Sequence, residues 1–170
     1  LVYMADRLIR ESENAYSGFY LNNYKELADK LKKLAAEGKK TLLLGVTYAL
    51  LDLAEQFPQA IKNCVIMETG GMKGKRKEMI RDELHSILKT AFHVSEIHSE
   101  YGMTELLSQA YSKGNGIFYC PPWMKIKIRE MNDPLSYAAN EKTGGVNVID
   151  FANYYSCSFI ATSDLGKVYA

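Results

Sequence analysis

Five consecutive residues, Tyr101, Gly102, Met103, Thr104 and Glu105, put an aromatic ring, a side-chain-free position, a hydroxyl and a carboxylate into one short stretch. That set suits a ligand with both a ring and phosphates. A tyrosine can stack on a base, a threonine can donate to a phosphate oxygen, and a glutamate can hold Mg²⁺ beside phosphates. A second stretch, Thr69-Gly70-Gly71-Met72-Lys73-Gly74, has three glycines within five residues, so its backbone can come close to a flat ligand. Both have plainer readings. Gly-Gly loops commonly serve as turns, and Thr104 with Glu105 suits the start of a helix. Residue types alone leave the choice open.

The surrounding pattern says how these stretches are carried. Apolar residues Tyr20, Tyr24, Leu27, Leu31 and Leu34 recur at helical spacing and predict a helix over residues 20–37, stopped by Gly38. Thr41-Leu42-Leu43-Leu44 is continuously apolar, as a buried parallel strand would be, with Gly45 ending it. A helix follows over 47–56, then a second strand over 64–67, a helix over 77–90, a third strand over 94–98 and a short helix over 103–110. Strands alternating with helices imply a parallel sheet flanked by helices. In such sheets ligands collect beyond the carboxyl ends of the strands, where both stretches fall.

After Ser112 the pattern changes. Residues 124–129 alternate apolar and polar, Asn132-Asp133-Pro134 reads as a turn, and short strands are expected over 146–150 and 158–162. The organisation is therefore a mixed-polarity, poorly defined lead-in over 1–18, an α/β portion over 19–112 and a β-rich antiparallel portion over 113–170.

Composition narrows the class. The 170 residues are 47% hydrophobic and 24% charged, ordinary for a globular chain with one real core. A net charge of +1, from 21 basic and 20 acidic side chains, offers no electrostatic reason to expect nucleic acid as a partner. No apolar run approaches the roughly 20 residues that span a bilayer. Cys64, Cys120 and Cys157 are odd in number and widely spaced, which argues against a disulfide framework or a zinc site and suits reduced thiols in a cytoplasmic protein. The opening residues carry Asp6, Arg7 and Arg10 and are not expected to act as a signal peptide. A chain that opens with Leu1 rather than Met is expected to be an excised piece.

A third element falls in order downstream: Thr162-Ser163-Asp164-Leu165-Gly166. With Tyr-Gly-x-Thr-Glu after one strand and a Gly-Gly loop after the preceding one, the combination resembles the adenylate-forming superfamily of acyl- and aryl-CoA ligases. That superfamily has Thr-Gly-Asp-Leu-Gly at the third position, where this chain has Ser163 in place of the glycine. Ser17-Gly18-Phe19-Tyr20-Leu21, residues 44–50 and Glu68 with the glycine loop are similar to the acyl-protein synthetases, the LuxE-type fatty-acid ligases of bacterial bioluminescence and their non-luminous relatives. The resemblance runs from about Phe19 to Gly166.

The resemblance implies that ATP and a fatty or other carboxylic acid form an acyl-adenylate, after which a thiol takes the acyl group. Gly70, Gly71 and Met72 would line the adenine and acyl pocket. Tyr101 would stack on adenine, while Gly102 and Met103 shape its floor. Thr104 would meet the α-phosphate, Glu105 the Mg²⁺ and Asp164 the ribose. It also implies that the phosphate-gripping loop lies upstream, outside this chain, and that a mobile lid follows Gly166. Alone, the chain would then bind nucleotide weakly and turn over little. Acyl-protein synthetases hold the acyl group on a late cysteine, which makes Cys157 the candidate; a lone cysteine in a β-rich segment otherwise reads as a small core residue. CoA, or the thiol of an acyl-carrying or reductase partner protein, is the competing acceptor.

Other residues read as less specific. His85 and His93 are expected at the surface, and His98 beside the key loop. Lys73, Lys75, Arg76 and Lys77 read as a solvated loop and helix start. A phenylacetate-type CoA ligase shares all three motifs, and a nucleotide-binding or interaction module without catalysis is the alternative from another class.

Overall fold

A computed structural model describes residues 1–169. The chain forms two compact units, the first from Leu1 to His98 and the second from Ser99 onward. Among the described residues no helix is long and apolar enough to cross a membrane.

The first unit contains α1 (Val2–Glu11), α2 (Tyr24–Ala36), β1 (Thr41–Val46), α3 (Thr47–Gln56), β2 (Cys64–Thr69) and α4 (Arg81–Phe92). Strands β1 and β2 pair in parallel, from Thr41 opposite Cys64 to Val46 opposite Thr69, with α3 as the crossover. Gly45 does not end β1. A Cβ there would lie 2.9 Å from the Leu50 side chain, so the glycine leaves room for Leu50 to pack over the strand. Helix α3 can then begin at Thr47 with no loop between. Leu31 of α2, Leu43 of β1, Leu50 of α3, Ile66 of β2, and Leu88 and Phe92 of α4 share one core. Each such side chain contributes about 1.5–3 kcal/mol by leaving water.

Two further expectations for this unit are corrected. The lead-in is structured: α1 is helical, though none of its residues is buried. The segment after it is clasped to α2. There Lys30 Nζ donates to Tyr20 Oη at 2.9 Å and lies 4.7 Å from the centre of that ring. Lys33 makes the equivalent pair with Tyr16. Helix α4 begins at Arg81 rather than near residue 77. Lys73 and Gly74 have positive φ, and Arg76 is tied to α3 by Asp52 and Glu55, which together keep this stretch out of the helix.

The second unit contains β4 (Ala110–Ser112), which pairs antiparallel with β3 (His98–Tyr101), and β5 (Phe118–Tyr119), which pairs antiparallel with β4. A separate sheet of β6 (Met124–Arg129), β7 (Gly144–Asp150) and β8 (Phe159–Gly166) is also antiparallel, as expected. One 3-10 turn, Phe151–Asn153, joins β7 to the segment before β8. Leu106, Met124, Ile128, Val146 and Val148 form this unit's own core.

Here too the structure departs from the expectation. The third strand starts at His98 rather than near residue 94, so Tyr101 is its last residue instead of a loop residue. No helix forms over 103–110. Met103, Leu106, Leu107 and Ala110 have helical spacing, but the amides a helix would use are taken by distant side chains. Leu107 N–H donates to Asn153 Oδ1 at 2.8 Å, and Ser108 N–H to Asp150 Oδ2 at 2.9 Å. Tertiary bonding overrides the local pattern.

Candidate functional site

The second unit brings together two residues 63 positions apart: Tyr101 Oη donates to Asp164 Oδ2 at 2.7 Å. Both positions follow from strand geometry. Tyr101 ends β3, and its ring meets Phe118 of β5 edge-on, with centroids 6.1 Å apart. Asp164 sits in a bulge of β8. Gly145 pairs with Leu165 and Asn147 with Ala161, which leaves Val146 alone opposite Thr162, Ser163 and Asp164. A bulge re-aims side chains that regular pleating would alternate. Burial, and then the neighbouring Asp164 carboxylate, push the Tyr101 phenol well above its ordinary value of 10.0. The ring is therefore a neutral donor throughout the physiological range.

The bulge is braced from β6. Arg129 Nη2 donates to Thr162 O at 2.6 Å, and Nη1 donates to Val146 O at 2.9 Å and Asn147 Oδ1 at 2.7 Å. Thr162 Oγ1 in turn donates to Val146 O and accepts from the Asp164 amide, both at 3.1 Å. Arg129 can cross β7 only because Gly145 has no side chain. A Cβ there would stand 2.4 Å from Arg129 Cζ. Neither role is named by the motifs. The available signal was a Gly-Gly pair facing an arginine on an alternating strand.

Gly102, Met103, Thr104 and Glu105 follow Tyr101 in a turn, with Leu106 N–H donating to Met103 O at 3.1 Å. Thr104 and Glu105 are exposed, and Met103 is half-buried against the second core. A Cβ at Gly102 would lie 2.5 Å from Glu100 Oε1. Asn153 Nδ2 donates to Glu105 O at 2.6 Å, so the turn is anchored from the end of β7.

In the first unit, Gly70 and Gly71 have φ of 76° and 66° at the carboxyl end of β2. Positive φ at two consecutive positions favours glycine at both. The Met72 side chain, 2% exposed, belongs to the hydrophobic core, so this loop offers a ligand its backbone rather than the thioether. Just before it, the buried Glu68 accepts from Thr47 Oγ1 at 3.3 Å, and its other oxygen lies 3.6 Å from His85 Nε2. His85 is therefore not a surface residue. It lies three and seven positions before the buried Leu88 and Phe92, the spacing that could have revealed it. His93 is exposed and caps α4 with φ 53°, and His98 is half-buried at the start of β3. In the basic cluster, Lys73, Lys75 and Lys77 are exposed as expected, but Arg76 is not solvated freely, being held by two α3 carboxylates.

Cys157 lies in the exposed turn before β8 and is no core residue. Its Sγ is 3.2 Å from Phe159 O. Burial pushes the Cys64 thiol up to about 11 and raises that of Cys120. A shallow concavity on α2, bordered by Asn23, Lys30 and Phe57, contains none of the predicted residues.

The sequence matches no family model and no curated protein. Solved structures do match. ATP-bound MatB from Rhodopseudomonas palustris aligns with a TM-score of 0.58 at 15% identity, over 84% of this chain and 31% of its own. Unliganded O-succinylbenzoate coenzyme A synthetase from Bacillus subtilis gives 0.53 at 18% identity, over 84% and 32%. A benzoate CoA ligase from Burkholderia xenovorans LB400 gives 0.52 at 15% identity, over the same shares. The fold is that of the adenylate-forming acyl- and aryl-CoA ligases. The chain spans less than a third of the length of these ligases. Within the ligase fold, Tyr101 and Asp164 are the pair of predicted site residues that meet directly.

Proposed function

We propose that the chain is part of an ATP-dependent, carboxylate-activating ligase that forms an acyl-adenylate, with residues 101–105 and Asp164 in its nucleotide site. The observation that carries this reading is the Tyr101–Asp164 hydrogen bond in a fold shared with an ATP-bound ligase. The ring is held edge-on by Phe118 and its hydroxyl by Asp164, so it is oriented before any base arrives. Pre-orientation of this kind lowers the entropic cost of binding. Asp164, with Oδ2 engaged by the phenol, presents Oδ1 to the ribose hydroxyls.

Thr104 and Glu105 stand exposed on the adjoining turn. Attack by a carboxylate on the α-phosphorus, with the bond to the bridging oxygen breaking and pyrophosphate leaving, puts negative charge on that phosphate, and the Thr104 hydroxyl would be the donor that offsets it. Glu105 fits a Mg²⁺ role. Among the described residues no three metal-ligating side chains cluster, but Mg²⁺ carried by phosphates needs only one or two protein carboxylates. When bound, the metal neutralises charge on the transferring phosphates.

For the acceptor, the acyl-protein synthetase reading gains from Cys157. It is the exposed thiol of the three, while burial raises the other two away from the thiolate form that attacks. The names of the solved neighbours favour CoA instead. The substrate would be a fatty or other carboxylic acid, with a cytoplasmic setting expected from the reduced thiols.

The test is acid-dependent ATP–pyrophosphate exchange by the complete protein. Glu105→Gln should slow exchange about 100-fold with an unchanged circular dichroism spectrum; an unchanged rate defeats the assignment. In the same assay without CoA, labelled acid retained by wild type and lost in Cys157→Ser identifies the acyl-protein branch. Turnover only with CoA identifies the other.

A further inference from the structure

The turn that carries Thr104 and Glu105 is held by a buried carboxylate that no sequence motif marks. Asp150 ends β7 and is 0% exposed. Three donors meet its two oxygens. Ser108 N–H reaches Oδ2 at 2.9 Å, Ser108 Oγ–H reaches Oδ1 at 2.8 Å, and Ala152 N–H reaches Oδ1 at 3.0 Å. A carboxylate removed from water is tolerated only when its oxygens are satisfied in this way. The Ala152 bond caps the 3-10 turn Phe151–Asn153 and so sets where Asn153 stands. Asn153, 2% exposed, accepts from Leu107 N–H at 2.8 Å and donates to Glu105 O at 2.6 Å. One buried acid thus holds the downstream end of the turn directly and the Glu105 carbonyl through Asn153.

We infer that Asp150 is a positioning residue for the Thr104–Glu105 turn, acting through Ser108 and Asn153. Its geometry stands without the proposed ligase activity; its catalytic consequence rests on that reading. Asp150 replaces a local helix over residues 103–110 with a turn that presents Thr104 and Glu105 outward while Leu106 stays in the core. Trp123, the chain's one tryptophan, reports on the network, since its Nε1–H donates to Ser108 Oγ at 2.9 Å.

Hydrogen exchange followed by mass spectrometry on the complete protein tests this. Asp150→Asn preserves shape but sets an amide nitrogen against one of the backbone donors. Exchange over residues 106–108 should quicken at least about tenfold while β6 and β7 remain protected, and Trp123 fluorescence should shift. Adenylation kcat should fall about 10- to 100-fold with KM for ATP changed less than about twofold, the mark of misplaced reacting groups. Should Asp150→Asn fail to fold, Ser108→Ala removes only the shared hydroxyl and should show the same pattern at smaller size. Unchanged exchange over 106–108 in the folded variant overturns the inference. So does quickening spread evenly over the whole sheet, which would mean general destabilisation. If wild type itself shows no pyrophosphate exchange, the ligase reading fails, and hydrogen exchange still decides whether Asp150 holds the turn.

Discussion

Tyr101 and Asp164 depend on each other. The phenol gives the carboxylate a fixed donor, and burial, with the carboxylate adding to it, keeps the phenol protonated well above 10.0. The consequence for stability has a definite sign. A tyrosine in the unfolded chain loses its proton near 10, while Tyr101 in the folded chain still holds its own. Its contribution is fully present below pH 10 and fades as pH rises through the higher folded value. The difference in tyrosinate absorbance between wild type and Tyr101→Phe should therefore titrate above 10, and Asp164→Asn should bring that midpoint down. A midpoint at 10 in wild type would mean that the bond does not persist in solution. Tyr101 and Asp164 could be singled out in the sequence because both sit in short motifs. Asp150, Asn153 and Arg129 were not, because their roles depend on partners tens of residues away that no local window contains.

At the scale of elements, the β6–β7–β8 sheet is shaped by two glycines that open β7 ahead of the strand expected over 146–150. A Cβ on Gly144 would lie 2.2 Å from the Arg129 carbonyl oxygen, which the strand cannot move; one on Gly145 would meet the guanidinium, which can swing aside. Gly144→Ala should destabilise the fold by about 2–3 kcal/mol and Gly145→Ala by about 1 kcal/mol in chemical denaturation. Gly145→Ala should nevertheless weaken nucleotide binding, because a displaced Arg129 releases Thr162 and with it the bulge that aims Asp164. Equal stability loss without any binding defect would contradict that linkage. Helix α3 and strand β6 were readable to the residue, since each has one clear period and a clean stop. The stretch over 103–110 was misread as helix because periodicity records which residues are apolar, not where their amides find acceptors. The exposed α1 offers no buried stripe to betray its length.

At the scale of the whole molecule, each unit has its own core, and each holds one of the two strand-end stretches that the sequence marks: the glycine loop in the first, the Tyr101 turn in the second. The fold class was legible because strand–helix alternation and the later period-two strands dictate it. Activity is a property of the site and not of the fold, which hosts ligases with different substrates. The central proposition is that Tyr101 and Asp164 together hold a nucleotide. Calorimetric titration of ATP with Mg²⁺ into the complete protein tests it most directly, with Tyr101→Ala and Asp164→Ala alongside. Binding by wild type, weakened at least about tenfold in each variant, is the expected result. Equal binding by all three proteins, or no binding by wild type, would contradict it.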